Sequence, residues 1–132
     1  MNKKEFIDQV NKKYAKTDED NVLIPVMKDI TSYFIEIDNN LKNIDEKLVI
    51  GFNYHVVDLI VIELGSNHIH FKRLDKSIKI TYVSNVGNQY SDQYAQLDLD
   101  EIIIVNGKLV IKNSQIDFSI NYLDHYLNYL IV

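Results

Sequence analysis

Residues 3–16 place Phe6, Ile7, Val10 and Tyr14 on one side of a 3.6-residue repeat, with Lys and Asp elsewhere, and so predict an amphipathic helix. The stretch Thr17-Asp18-Glu19-Asp20-Asn21 is polar and rich in capping side chains, which predicts a loop feeding a second helix. Leu23, Val26, Met27, Ile30, Tyr33, Phe34, Ile37, Leu41 and Ile44 then recur at three- and four-residue steps. They predict a long amphipathic helix over roughly 22–43. Pro25 is tolerable there only near the first turn, where its missing N–H removes no helical bond.

After Asp45 the period becomes two. Leu48, Ile50, Phe52 and Tyr54 alternate with less apolar residues, and Val56 to Leu64 is almost continuously apolar and β-branched, as in a central strand. No turn residue separates these runs, so a bend, a bulge and one long strand all fit. Gly65-Ser66-Asn67 and Leu74-Asp75-Lys76-Ser77 are turn signals. With Asp75-Lys76 at a hairpin tip, Phe71 pairs with Ile80 and Ile69 with Tyr82. The opposite face then carries His68, His70 and Lys72 against Val83, Thr81 and Lys79. Folding back through Gly65 puts Ile60, Ile62 and Leu64 on the side of Ile69 and Phe71, so polarity and register agree across three strands. Residues 84–98, with Gly87, the amides Asn85, Asn88, Gln89 and Gln93, and Tyr90 and Tyr94, read as a long loop. Ile102 to Val105 meets Leu109 to Ile111 across Asn106-Gly107, a strong hairpin signal. Ser114 with Asp117 forms a capping box opening a helix to about residue 130.

The chain has 132 residues, 46% hydrophobic and 25% charged, which fits a single folded α+β domain over 1–132. Two N-terminal helices, a mainly antiparallel sheet of five or six strands and a C-terminal helix are expected. The net charge is -5, and the small basic cluster Lys72, Arg73, Lys76 and Lys79 falls short of a nucleic-acid-binding face. Cysteine is absent, which excludes disulfides, thiolate nucleophiles and Cys-based zinc sites. The N-terminus lacks a signal-like apolar stretch and no run reaches membrane-spanning length, so a cytoplasmic location without membrane contact is expected.

Sequence signatures of catalysis are missing: no glycine-rich phosphate loop, no His-Glu-x-x-His, no Gly-x-Ser-x-Gly and no calcium loop. Asp98, Asp100 and Glu101 sit together but beside the expected loop, where acids keep a surface wet. His68 and His70, two apart on a strand, project from one face, and Glu63 lies across from one of them. That trio has the donor types of a divalent-metal site; its plainer reading is a polar face beside Lys72, whose charge opposes a metal. His55 and His125 carry no such signal. On the C-terminal helix, Ile116, Ile120, Leu123, Leu127, Leu130 and Ile131 form a core stripe, and Phe118, Tyr122, Tyr126 and Tyr129 an adjoining aromatic strip. The strip fits a helix wedged into the fold or an interaction surface. Tyr90 and Tyr94 add adaptable contacts in the loop.

The tail, from Asp100-Glu101-Ile102 through Asn106-Gly107-Lys108-Leu109 into Tyr122-Leu123-Asp124, resembles small uncharacterised proteins of Bacillus-type bacteria. The resemblance covers the last third, implies a bacterial origin and transfers no activity. The expected function is a non-enzymatic protein–protein interaction module, binding another protein or a second copy as a homodimer, without cofactor or nucleic acid. The alternative is a small-ligand or divalent-metal-binding protein centred on Glu63, His68 and His70. A third reading is an inhibitor whose acidic tail meets a basic partner.

Overall fold

The structure is a computed structural model that describes residues 1–52, 58–85 and 94–131. Helices α1 (Lys3–Lys13) and α2 (Asp18–Asn40) precede six strands: β1 (Leu48–Phe52), β2 (Leu59–Leu64), β3 (Asn67–Arg73), β4 (Ser77–Asn85), β5 (Tyr94–Val105) and β6 (Lys108–Ile111). A 3₁₀ helix (Ile120–Tyr126) and α3 (Asn128–Ile131) close the described chain. The strands form one antiparallel sheet in sequence order, each paired with its chain neighbour. The architecture is α+β.

The meander follows the register that the alternation demands. Ile62 pairs with Ile69, Ile60 with Phe71, Phe71 with Ile80 and Ile69 with Tyr82. Gly65, at φ 60°, turns β2 into β3, and Asn106 (φ 51°) with Gly107 (φ 76°) turns β5 into β6; the left-handed region favours both residue types. The apolar run 48–64 resolves into two strands paired with each other, Leu48 opposite Leu64.

One face of the sheet is covered. Leu23, Met27, Ile30 and Phe34 of α2 are fully buried against Ile60, Ile62, Ile69, Phe71, Ile78 and Ile80. Each such side chain contributes roughly 1.5–3 kcal/mol by leaving water. Leu123, Tyr126 and Leu130 of the C-terminal segment complete this core. Polar contacts fix the helical layer. The Arg73 guanidinium lies 2.7 Å from Asp20 Oδ1, and Tyr33 Oη donates to Asp124 Oδ1. Tyr126 Oη donates to Asp100 Oδ2 at 2.6 Å, and Asn67 Nδ2 donates to the Leu130 carbonyl at 3.3 Å.

Four sequence expectations are corrected. Thr17 is the N-cap of α2 in a reciprocal capping box with Asp20, so the helix starts at Asp18 and ends at Asn40. Pro25 therefore sits beyond the first turn, where it withholds a helical hydrogen bond from the Asn21 carbonyl. The expected loop 84–98 is strand at 84–85 and 94–98, because Gln96, Leu97, Asp98 and Leu99 alternate and β4 supplies a pairing edge; residues 86–93 lie outside the described residues. The Ser114–Asp117 capping box is absent. Val110 bridges Asp117 and the Ile111 and Phe118 N–H groups bond across the turn, so the chain continues the sheet edge before coiling at Ile120.

Candidate functional site

The face of the sheet opposite α2 carries the histidines. His68 pairs with Val83, His70 with Thr81 and Lys72 with Lys79, as alternation requires, and Glu63 stands opposite His68. This face is not wet throughout, contrary to the expected polar surface: Thr81 and Val83 are buried and His70 is partly buried. A bulge lies in the β4–β5 strand pair. Ile80 pairs with Asp100 and Thr81 with Asp98, so Leu99 is an extra residue in β5, and such a bulge bends and twists the strand pair. A hollow on this face holds a cavity of about 720 Å³. Leu59, Val61, Leu74 and Val83 supply its apolar lining, and Glu63, His68, His70, Lys72, Lys79, Thr81 and Gln96 its polar one.

Within it, Glu63 Oε1 and His68 Nε2 are 3.5 Å apart, and the His68 and His70 rings stack with centroids 6.1 Å apart. His70 Nε2 is buried with no hydrogen-bond partner among the described residues. Such an orphan costs about 1–3 kcal/mol. Burial, and then repulsion from His68, hold the His70 imidazole below its ordinary pKa, which favours the neutral ring. The trio Glu63, His68 and His70 thus shares one hollow, but no group of three or more His, Cys, Asp or Glu side chains among the described residues is arranged to hold a metal ion. Lys79 reaches Asp98 at 3.5 Å.

The aromatic strip is largely engaged inside the fold. Tyr126 is buried with its hydroxyl on Asp100, and burial followed by that hydrogen bond pushes its phenol far above the ordinary pKa. Tyr129 packs on Tyr82, with centroids 5.3 Å apart, and Phe118 and Tyr122 pack against the core's edge. His125 lies against Tyr122 with centroids 4.5 Å apart. Tyr90, His55 and the Tyr94 side chain lie outside the described residues.

Helix α1 contributes nothing to the core. It buries no residue, and Phe6, Ile7, Val10 and Tyr14 are 58%, 45%, 36% and 70% exposed. A second hollow of about 860 Å³ runs between α2 and the 3₁₀ helix. Its walls combine Ile37, Leu41, Ile120 and Leu127 with the carboxylates Asp29, Glu36 and Asp124. Tyr33 crosses it to Asp124; burial and that bond hold the Tyr33 phenol far above its ordinary pKa.

The chain matches no protein-family model, no curated protein and no solved structure. Among the described residues, no helix is long and apolar enough to cross a membrane. Sequence reasoning missed the α2 groove because two of its acids, Asp29 and Glu36, lie seven residues apart on α2 and the third, Asp124, on a distant segment. It missed the α1 exposure because periodicity marks an apolar face without naming what covers it.

Proposed function

We propose that this protein is a self-associating interaction module, in which α1 of one copy lies in the α2 groove of a second. The observation that carries this reading is the exposed apolar stripe of α1, none of whose residues is buried. An isolated helix of 11 residues is marginal in water, so α1 gains most of its stability from a surface that covers Phe6 and Val10.

Charge, length and reach favour a second copy as that surface. Residues 1–16 carry five Lys against Glu5 and Asp8, a net +3, which leaves -8 for residues 17–132 from the total of -5. A basic helix thus faces a groove with three carboxylates. By the 1.5 Å helical rise, α1 is about 16 Å long and the groove wall from Asp29 to Leu41 about 18 Å. A tight fold-back within one chain lays α1 along Asp18–Lys28, short of that groove. Reciprocal exchange between two copies gives a closed two-fold pair and doubles the buried area.

Sedimentation velocity on the full chain tests this. A concentration-dependent dimer is expected, and Phe6→Ser with Val10→Ser weakens it by at least about tenfold while the β-sheet circular dichroism stays unchanged. Reversing Glu36 to Lys weakens the dimer as well, and Lys4→Glu in the same chain restores part of it. A chain that stays monomeric at all concentrations, or a dimer indifferent to α1, overturns the reading. So does concentration-independent hydrogen-exchange protection of α1, the mark of docking within one chain.

A further inference from the structure

We infer that the hollow on the face of the sheet opposite α2 is a binding site for a small organic monocarboxylate, its apolar body over Val61 and Val83 and its carboxylate between Lys72 and Lys79. This site is independent of the α2 groove, which lies on the other side of the sheet.

Four features of the hollow converge on that ligand class. Lys72 and Lys79 are direct cross-strand partners, so two ammonium groups project from neighbouring positions on one face, an arrangement that is destabilising unless an anion joins them. Asp98 offsets the Lys79 charge from the β5 side, whereas Lys72 makes no ion pair among the described residues. Next along β3, the buried Nε2 of His70 has no partner among the described residues, although buried polar groups are ordinarily hydrogen-bonded. Above it the floor turns apolar and is closed from water at Val83, so the hollow offers a ligand more than a charged surface. A volume of about 720 Å³ lies within the range of small-molecule pockets, which combine an apolar lining with a few polar groups.

The same geometry narrows the anion. Two lysines face Asp98 on one side and Glu63 at the far end, so the local charge suits a monoanion better than a phosphate dianion. Among the described residues the hollow is lined by strand side chains and Leu74, with no glycine-rich loop or helix N-terminus to present backbone N–H groups to phosphate. The Glu63–His68 pair marks the opposite end of the cavity, about 13 Å along β3 from Lys72 by strand rise, and repels a carboxylate from that end. The ligand therefore has one orientation. A divalent ion on Glu63, His68 and His70 competes as a reading, but it leaves the apolar floor and the lysine pair unused.

Hexanoate is the probe, with hexanol and hexylammonium as matched neutral and cationic controls, inorganic phosphate as a dianion and zinc as the metal. Side-chain NMR signals of His70 and the Val61 and Val83 methyls report occupancy of the hollow in the full-length chain. Hexanoate is expected to shift all three saturably in the millimolar range, hexanol about tenfold more weakly, and hexylammonium and phosphate not at all. Lys72→Ala, an exposed substitution that leaves the sheet intact, should weaken hexanoate about tenfold, the loss of one charge-assisted hydrogen bond. His70→Phe, which removes the orphan nitrogen while filling the space, tests the second contact and should weaken binding measurably. Absence of hexanoate shifts in the wild-type chain overturns the proposal. So does equal binding by the Lys72→Ala variant, or a pattern in which zinc or phosphate shifts His70 and hexanoate does not. Because α1 takes no part in this hollow, the Phe6 and Val10 variant should bind hexanoate as the parent does, which separates this result from that of the dimer test.

Discussion

Helices α1 and α2 begin with equally good local signals and end in opposite environments. Asn2 caps α1 by accepting from the Glu5 N–H, and Thr17 caps α2 by accepting from that of Asp20. Both carry an apolar stripe at three- and four-residue spacing. Yet Leu23, Met27, Ile30 and Phe34 are fully buried, while α1 buries nothing. Caps and periodicity decide that a helix forms and which side seeks cover. They do not say whether the cover lies in the same chain. An exposed stripe on a well-capped helix is therefore better evidence for an external partner than aromatic content is, as the largely internal C-terminal tyrosines illustrate.

Substitutions along the two stripes sharpen that contrast. The largest effect belongs to α2: Phe34→Ala should cost about 3–5 kcal/mol of unfolding free energy in chemical denaturation, since it empties the space beside Phe71. A loss below about 1 kcal/mol would mean that α2 is not the lid of this core. Next comes the start of α2. Thr17→Ala should cost about 1 kcal/mol. Asp20 adds a pH signature, because hydrogen bonds from Thr17 and the charge of Arg73 outweigh its burial and hold its carboxyl below the ordinary value. A group depressed in the folded state stabilises above its unfolded pKa and loses that contribution as pH falls through the folded one. Stability should thus decline from about pH 4 downward, and Asp20→Asn should flatten part of that decline. The smallest effect belongs to α1: Phe6→Ser in dilute, monomeric protein should change stability by less than about 0.5 kcal/mol. A larger loss would show α1 packed within its own chain.

The meander was legible almost residue by residue. Alternation from Ile60 to Tyr82 admits one register that keeps the apolar side together, and Gly65 and Asn106-Gly107 mark turns that few other residues tolerate. The end of α2 and the start of β5 were less legible. Leu41 and Ile44 keep the helical spacing of α2 after its hydrogen bonds have stopped, and Ile44 stands 50% exposed. Gln96 to Leu99 alternate too briefly to declare a strand until β4 offers its edge. Of the candidate site, the shared face of Glu63, His68 and His70 followed from strand geometry. The hollow around them did not, because its lining is drawn from several strands at once.

By itself the sequence determined the elements, the hairpin registers and the sorting of side chains to two sides of one sheet, since these rest on repeats of 2 and 3.6 residues and on local turn chemistry. The tertiary structure alone decided which surfaces remain without cover: an α1 stripe that no core reaches, an acidic groove made from segments some 80 residues apart, and a sheet face that buries the His70 nitrogen without a partner among the described residues. Those outcomes depend on the summed packing of distant segments, and no local pattern encodes that sum.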